Sequence, residues 1–123
     1  MFSLLRHITK SALFGLIAAG SLATAAMAEE RDYQEAIYAF LVARHCELAT
    51  AEVEAGFRLT LLHLLERDGL AAEAARAARS AAGEVVRIEW RNRGRGPRDP
   101  RCLEEGRAAA QRFRDFLFFE EDG

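Results

Sequence analysis

Between Val53 and Leu65 the apolar side chains recur at helical spacing: Phe57, Leu61, Leu64 and Leu65 stand four, eight, eleven and twelve positions after Val53, with Leu62 widening the face. Nothing beyond residue 28 alternates apolar and polar residues over a strand's length. Chains patterned this way bury their apolar surface by laying helix on helix. The expected fold is therefore all-α, a single small domain of three to four helices.

The first helix is predicted to start at Asp32, with Glu35 completing a capping box. Tyr33, Ile37, Phe40 and Leu41 form one stripe on it, and Tyr38, Val42, Cys46 and Ala49 a second beside it, so this helix should be central. Thr50 can cap a second helix with Glu52 and Glu54 in its first turn, but no proline divides the two, which leaves one bent helix equally open. Gly69, followed by Leu70, should stop that helix as a left-handed residue. A third helix, about 71–92, is rich in alanine and so suited to close approach by a neighbour; Ala74, Ala78, Ala82, Val85 and Val86 form its buried side, and Trp90 can cover its end. After a loop at about 93–99, holding Gly94, Gly96 and Pro97, Asp99 and Pro100 supply an N-cap and a first-turn proline for a fourth helix. Leu103, Gly106, Ala110, Phe113 and Leu117 are its predicted inward stripe.

Ahead of this domain, Arg6 and Lys10 precede an apolar run that ends on Ala26-Met27-Ala28, the pattern of a secretory signal and its cleavage site. That run is shorter than the ~20 residues of a bilayer-spanning helix, so no stable transmembrane segment is expected after cleavage. Residues 1–28 are read as a cleaved signal, with an uncleaved anchor as the alternative, and 29–123 as the periplasmic or secreted domain. Cleavage removes two of seventeen basic residues and none of nineteen acids, leaving a formal charge of −4 that disfavours nucleic acid as a partner.

Cys46 and Cys102 are the only cysteines, and in an oxidising compartment two such thiols are expected to form one disulfide. Closing a loop of that length gives ~4 kcal/mol in the chain-entropy treatment, a large share of a small domain's ~5–10 kcal/mol. The competing reading is a metal site built from His45, Cys46, Glu47 and His63. Adjacent helical residues point about 100° apart, and the paired short spacings of a zinc site are missing, so no metal or other cofactor is expected.

Two surfaces are candidates for interaction. Arg87, Arg91, Arg93, Arg95, Arg98 and Arg101 crowd the Gly/Pro loop with only Glu89 and Asp99 opposing them, a density that suits a carboxylate- or phosphate-bearing partner such as an acidic protein or an anionic component of the cell envelope. Trp90 adjoins the cluster, and Trp and Arg are enriched at binding hot spots. Their structural alternative is a solvated loop whose arginine stems cover apolar surface. Near the C-terminus, Phe116, Phe118 and Phe119 lie off the inward stripe and can contact a partner or a second copy of the chain, unless they fold back on the core. For catalysis there is little: Ser80 is the only serine beyond residue 28 and lacks a nucleophile motif, and the glycine loop lacks the strand and lysine of a phosphate-binding loop, so an enzyme is not expected.

The phrases ARHCELAT, LLHLLERDGL and DPRCLEEGRAA, with an alanine-rich helix between the last two, resemble the layout of small secreted two-cysteine helical proteins of unknown function from alphaproteobacteria. That resemblance implies a periplasmic helical domain with one disulfide, and supplies no functional residues. A more distant likeness is to periplasmic acid-stress chaperones, although those are rich in lysine and this chain has none beyond Lys10. The readings that follow are a non-enzymatic binding or interaction protein, an acid-activated chaperone, and, least favoured, a small enzyme or metal protein.

Overall fold

A computed structural model describes residues 28–96 and 98–121. The expected signal segment, except Ala28, lies outside them, as does Pro97. Four helices are present among the described residues: α1 over 28–45, α2 at Ala51–Asp68, α3 at Ala72–Glu89, and α4 at Arg107–Glu121, the last entered through a π-helical turn at Cys102–Gly106. The all-α expectation is met.

Side-chain pairs fix the packing. Asp32 near the start of α1 meets Arg67 near the end of α2, and Phe40 stacks on Phe57 at 4.0 Å, so these helices are antiparallel. Phe113 of α4 sets its edge against both rings, 6.2 Å from Phe40 and 5.5 Å from Phe57. Along the other side of α1, Arg79 donates to the Tyr33 hydroxyl and the Tyr38 hydroxyl donates toward Glu89, which lays α3 parallel to α1. The α3 backbone comes close to neither α2 nor α4. Helix α1 is therefore the central element, as its double apolar stripe predicts.

Each junction has a local cause. Helix α1 is already helical before Asp32, which does not cap it; the Asp32 carboxylate accepts from Arg67 Nη2 at 2.9 Å instead. A C-terminal stop, with Leu48 N–H donating to Ala43 O (2.8 Å) and Glu47 N–H to Arg44 O (3.0 Å), separates α1 from α2. Thr50 then caps α2, its Oγ1 accepting from Val53 N–H. Gly69 (φ 60°) ends that helix and donates to Leu65 O, as expected. Helix α3 stops at Glu89, short of the predicted 92, because Trp90 turns inward. Asp99 does open the last helix, its Oδ1 accepting from Arg101 N–H.

Two close approaches require glycine. A Cβ on Gly56 would stand 2.0 Å from the Phe113 carbonyl oxygen where α2 crosses α4. On Gly106 it would stand 2.7 Å from Cys46 Sγ, so the staple lies directly on this residue. Cys46 and Cys102 form that disulfide, with Cα atoms 5.5 Å apart. The π-helical turn that carries Cys102 inserts extra backbone and changes the inward register. Cys102, Gly106, Ala109, Ala110 and Phe113 point in, whereas Leu103, expected inside, is 42% exposed. Leu62 is likewise 55% exposed, because Val53, Gly56, Thr60 and Leu64 set the buried face of α2 nearly half a turn away.

The core divides in two. One part gathers Val42, Ala43, Val53, Trp90, Phe113 and the disulfide at the stapled end; the other packs Tyr33, Ile37, Leu61 and Leu64 against Ala78 and Ala82.

Candidate functional site

The arginine-rich loop leaves α3 at Trp90, and what holds that residue defines the site. Trp90 is 2% exposed, so it meets no partner directly; it is the plug on which the loop is mounted. Its Nε1–H donates to the Tyr38 hydroxyl (3.3 Å), its ring tilts against His45 (centroids 5.1 Å apart), and the Arg101 guanidinium lies 4.2 Å from its centroid on the outer side.

Around this plug the polar groups are closely bonded. Tyr38 Oη lies 2.7 Å from Glu89 Oε2 and 2.8 Å from Glu105 Oε1, within reach of both carboxylates with its one proton. Arg101 Nε donates to Glu105 Oε2 (2.6 Å), while its terminal nitrogens donate to Glu89 Oε2 and to the Glu89 carbonyl. Burial first, then donation to Glu89, pushes the Tyr38 phenol far above its ordinary pKa of 10.0. Glu105 in turn holds the Arg101 guanidinium above its usual range. Arg101 thus serves the scaffold: of the six arginines clustered in sequence, it braces the loop.

Arg91, Arg93, Arg95 and Arg98 are exposed, and none has an ion-pair partner among the described residues. Arg87 is tied to Glu84 one turn back along α3. On one flank of the loop, Arg95 joins Arg44 of α1, Arg87 of α3 and Glu47 around an open cleft of about 430 Å³. Leu41 and Val86 form its apolar floor, and His45 contributes to the wall with its Nε2 buried and unbonded.

Phe116, Phe118 and Phe119 are not part of this site. Helix α4 starts at the staple and leads away from it for 15 residues, ~22 Å at 1.5 Å per residue. Phe116 is half-buried against the His63 ring, 5.6 Å away, while Phe118 and Phe119 are 51% and 72% exposed. The two sequence-derived surfaces therefore stand at opposite ends of the bundle.

Cys46 is committed to the disulfide, and no cluster of three or more His, Cys, Asp or Glu residues among the described ones is placed to hold a metal ion. Arg44 and Gly83 carry no signal of this cleft in the sequence, where Glu47 is read only as a competing metal ligand beside His45 and Cys46. The signal for Glu47 was local, since a helix stop of this kind ordinarily carries glycine there.

Fold and site together define a disulfide-stapled helical domain with a braced cationic loop. No protein-family model matches the chain, and no curated protein or solved structure shows significant similarity to it.

Proposed function

We propose that the protein is exported and acts without catalysis, by binding a carboxylate- or phosphate-bearing partner of the cell envelope through the arginine loop. The observation that carries this reading is the contrast within the cluster. Arg101 is consumed in bracing the plug, whereas Arg91, Arg93, Arg95 and Arg98 project from the braced loop without carboxylate partners among the described residues. A loop that keeps four guanidiniums without ion-pair partners among the described residues is suited to an anion from outside. Bracing also lowers the ordering entropy that such a contact would otherwise lose.

Export is supported by the disulfide, the apolar N-terminal run and its small-residue site. Among the described residues no helix is long and apolar enough to cross a membrane. The resemblance to small secreted two-cysteine proteins points the same way.

The test is recovery of bound species from periplasmic extract with the wild-type protein and with Arg93, Arg95 and Arg98 replaced by alanine. The expected partners are anionic, are lost from the triple variant, and dissociate as salt rises. Unchanged recovery by the variant would remove the loop from the account.

A further inference from the structure

Two residues of this fold run against its stability, and both line the same cleft. Glu47 occupies the left-handed stop of α1 with φ 58°, the one non-glycine at positive φ among the described residues. Any L-residue there is strained relative to glycine, and glycine is the usual occupant. Gly83 sits in the middle of α3, in a run otherwise rich in alanine, where glycine weakens a helix. No packing explains it: a Cβ at Gly83 would meet nothing within 4 Å, unlike those on Gly56 and Gly106. Locally unfavourable choices that gather in one place mark sites kept for something other than folding.

What they create there is specific. Gly83 keeps the space above Leu41 and Val86 open. Glu47 sets a carboxylate beside the loop, its Oε2 3.1 Å from where a Gly96 Cβ would stand, and without an ion-pair partner among the described residues. Arg44 and Arg95 face the same space unpaired, and Arg87 faces it while bonded to Glu84. Three guanidiniums thus surround a floor of aliphatic carbon, with one carboxylate free to accept. His45 serves as wall only, because its buried Nε2 is closed to a ligand.

We propose that this cleft is a binding site for a small organic dianion with an apolar body and a hydrogen-bond donor: a phosphate monoester or a dicarboxylate. Two negative charges can each meet one of the two unpaired guanidiniums, Arg44 and Arg95, a group that binds such oxyanions bidentately. The apolar body covers Leu41 and Val86 in the space Gly83 leaves, and the donor meets Glu47. A cleft of about 430 Å³ falls within the range of small-molecule sites. The inference rests on the reading of the loop as an anion binder, since Arg95 belongs to both, and it names the ligand class for the loop's flank.

The experiment is amide and imidazole chemical-shift mapping of the disulfide-bonded protein titrated with phenyl phosphate, inorganic phosphate and benzoate. Phenyl phosphate is expected to give saturable shifts at Leu41, His45, Glu47 and Gly83 with a Kd of about 1 mM or tighter, and to bind more tightly than either fragment. Gly83→Leu fills the space and should weaken it by about tenfold or more. Arg44→Gln, an exposed change that leaves the fold intact, should weaken it by several-fold. Shifts confined to residues 91–98 would overturn the cleft while leaving the loop's anion binding in place. No shift with any probe would overturn both, and benzoate binding as tightly as phenyl phosphate would overturn the dianion.

Discussion

The stapled end of the bundle and the opposite end are built on different principles. At the staple, Trp90, the disulfide and Gly106 are buried together, half-buried Tyr38 is bonded to Trp90, and Arg101 bonds simultaneously to Glu89 and Glu105 across two elements. At the other end, the contacts between elements beyond the apolar core are the Arg67–Asp32 pair, half open to solvent, the Arg79 hydrogen bonds to Tyr33 and the His63–Phe116 ring contact, and Phe118 and Phe119 stand exposed. Yet the stapled end also carries the two residues that oppose stability, Glu47 and Gly83, whereas the far end shows neither kind of departure among the described residues. Dense bonding around the plug supplies the stability that lets the cleft beside it depart from what folding alone would select. Breaking each end in turn measures that difference.

The largest effect should follow loss of the staple. Replacing Cys46 and Cys102 together by alanine is expected to reduce stability by ~4 kcal/mol, read as a lowered denaturant midpoint. The sulfurs lie on Gly106 and fill core, so a cavity adds to the loss of the cross-link. A loss below ~1 kcal/mol would mean that the plug alone holds this end, and the comparison would shift from the disulfide to Trp90.

Next comes the hydroxyl at the centre of the plug. Tyr38→Phe keeps the ring and leaves Trp90 Nε1, Glu89 and Glu105 each short of a partner, for a cost of ~1–2 kcal/mol. Its pH dependence has a definite sign. The folded phenol titrates above its ordinary value of 10.0, so the stability it gives is complete below that pH and is lost as pH rises past it. Wild type should therefore lose stability more steeply than Tyr38→Phe above pH 10, and parallel curves would show that the hydroxyl is not sealed.

Two substitutions beside the cleft should move stability the other way. Gly83→Ala is expected to gain ~0.5–1 kcal/mol, since the methyl meets nothing and the helix loses a flexible residue. Glu47→Gly should gain less, about 0.5 kcal/mol, as relief of the left-handed strain is partly offset by glycine's greater freedom when unfolded. If either destabilised the protein, the residue would be there for the fold, and the contrast between the two ends would lose its functional half.

The apolar spacings made most of this architecture legible in the sequence. Val53 through Leu65 fixed α2, Gly69 its stop, and Asp99 and Pro100 the entry to the last helix, because each signal is local and the backbone obeys it. Leu103 and Leu62 escaped for a different reason. A π-helical turn and a glycine crossing change which face is buried, and both depend on partners far away in the chain. The same holds at the site. The loop arginines are visible as a run, but Trp90, which reads more as a core cap than as a contact, is not fixed as the plug until Tyr38, 52 residues before it, is placed. Arg44 and Glu47 stand three apart at the stop of α1, but Gly83 lies far along the chain, and only the parallel packing of α3 on α1 brings it to the same cleft.

The smallest effect is expected at the far end. Arg67 holds the Asp68 carboxylate below the ordinary carboxylate range, and on α3 Arg87 does the same for Glu84. With folded values depressed, what these pairs contribute is present above the unfolded carboxylate values and disappears as pH falls through the folded ones. Pairs open to solvent on the arginine side are weak, so acid should lower the melting temperature through them only slightly. Arg67→Ala should remove the Asp68 share of that slope and cost less than Gly83→Ala gains. Acid unfolding near pH 4 that Arg67→Ala greatly advances would reverse the comparison, by making the far end the acid-labile latch that an acid-activated chaperone requires. A shallow slope, with Leu62, Phe118 and Phe119 no more exposed at pH 4 than at pH 7, would leave the stapled end and its cationic cleft as the working part of the molecule.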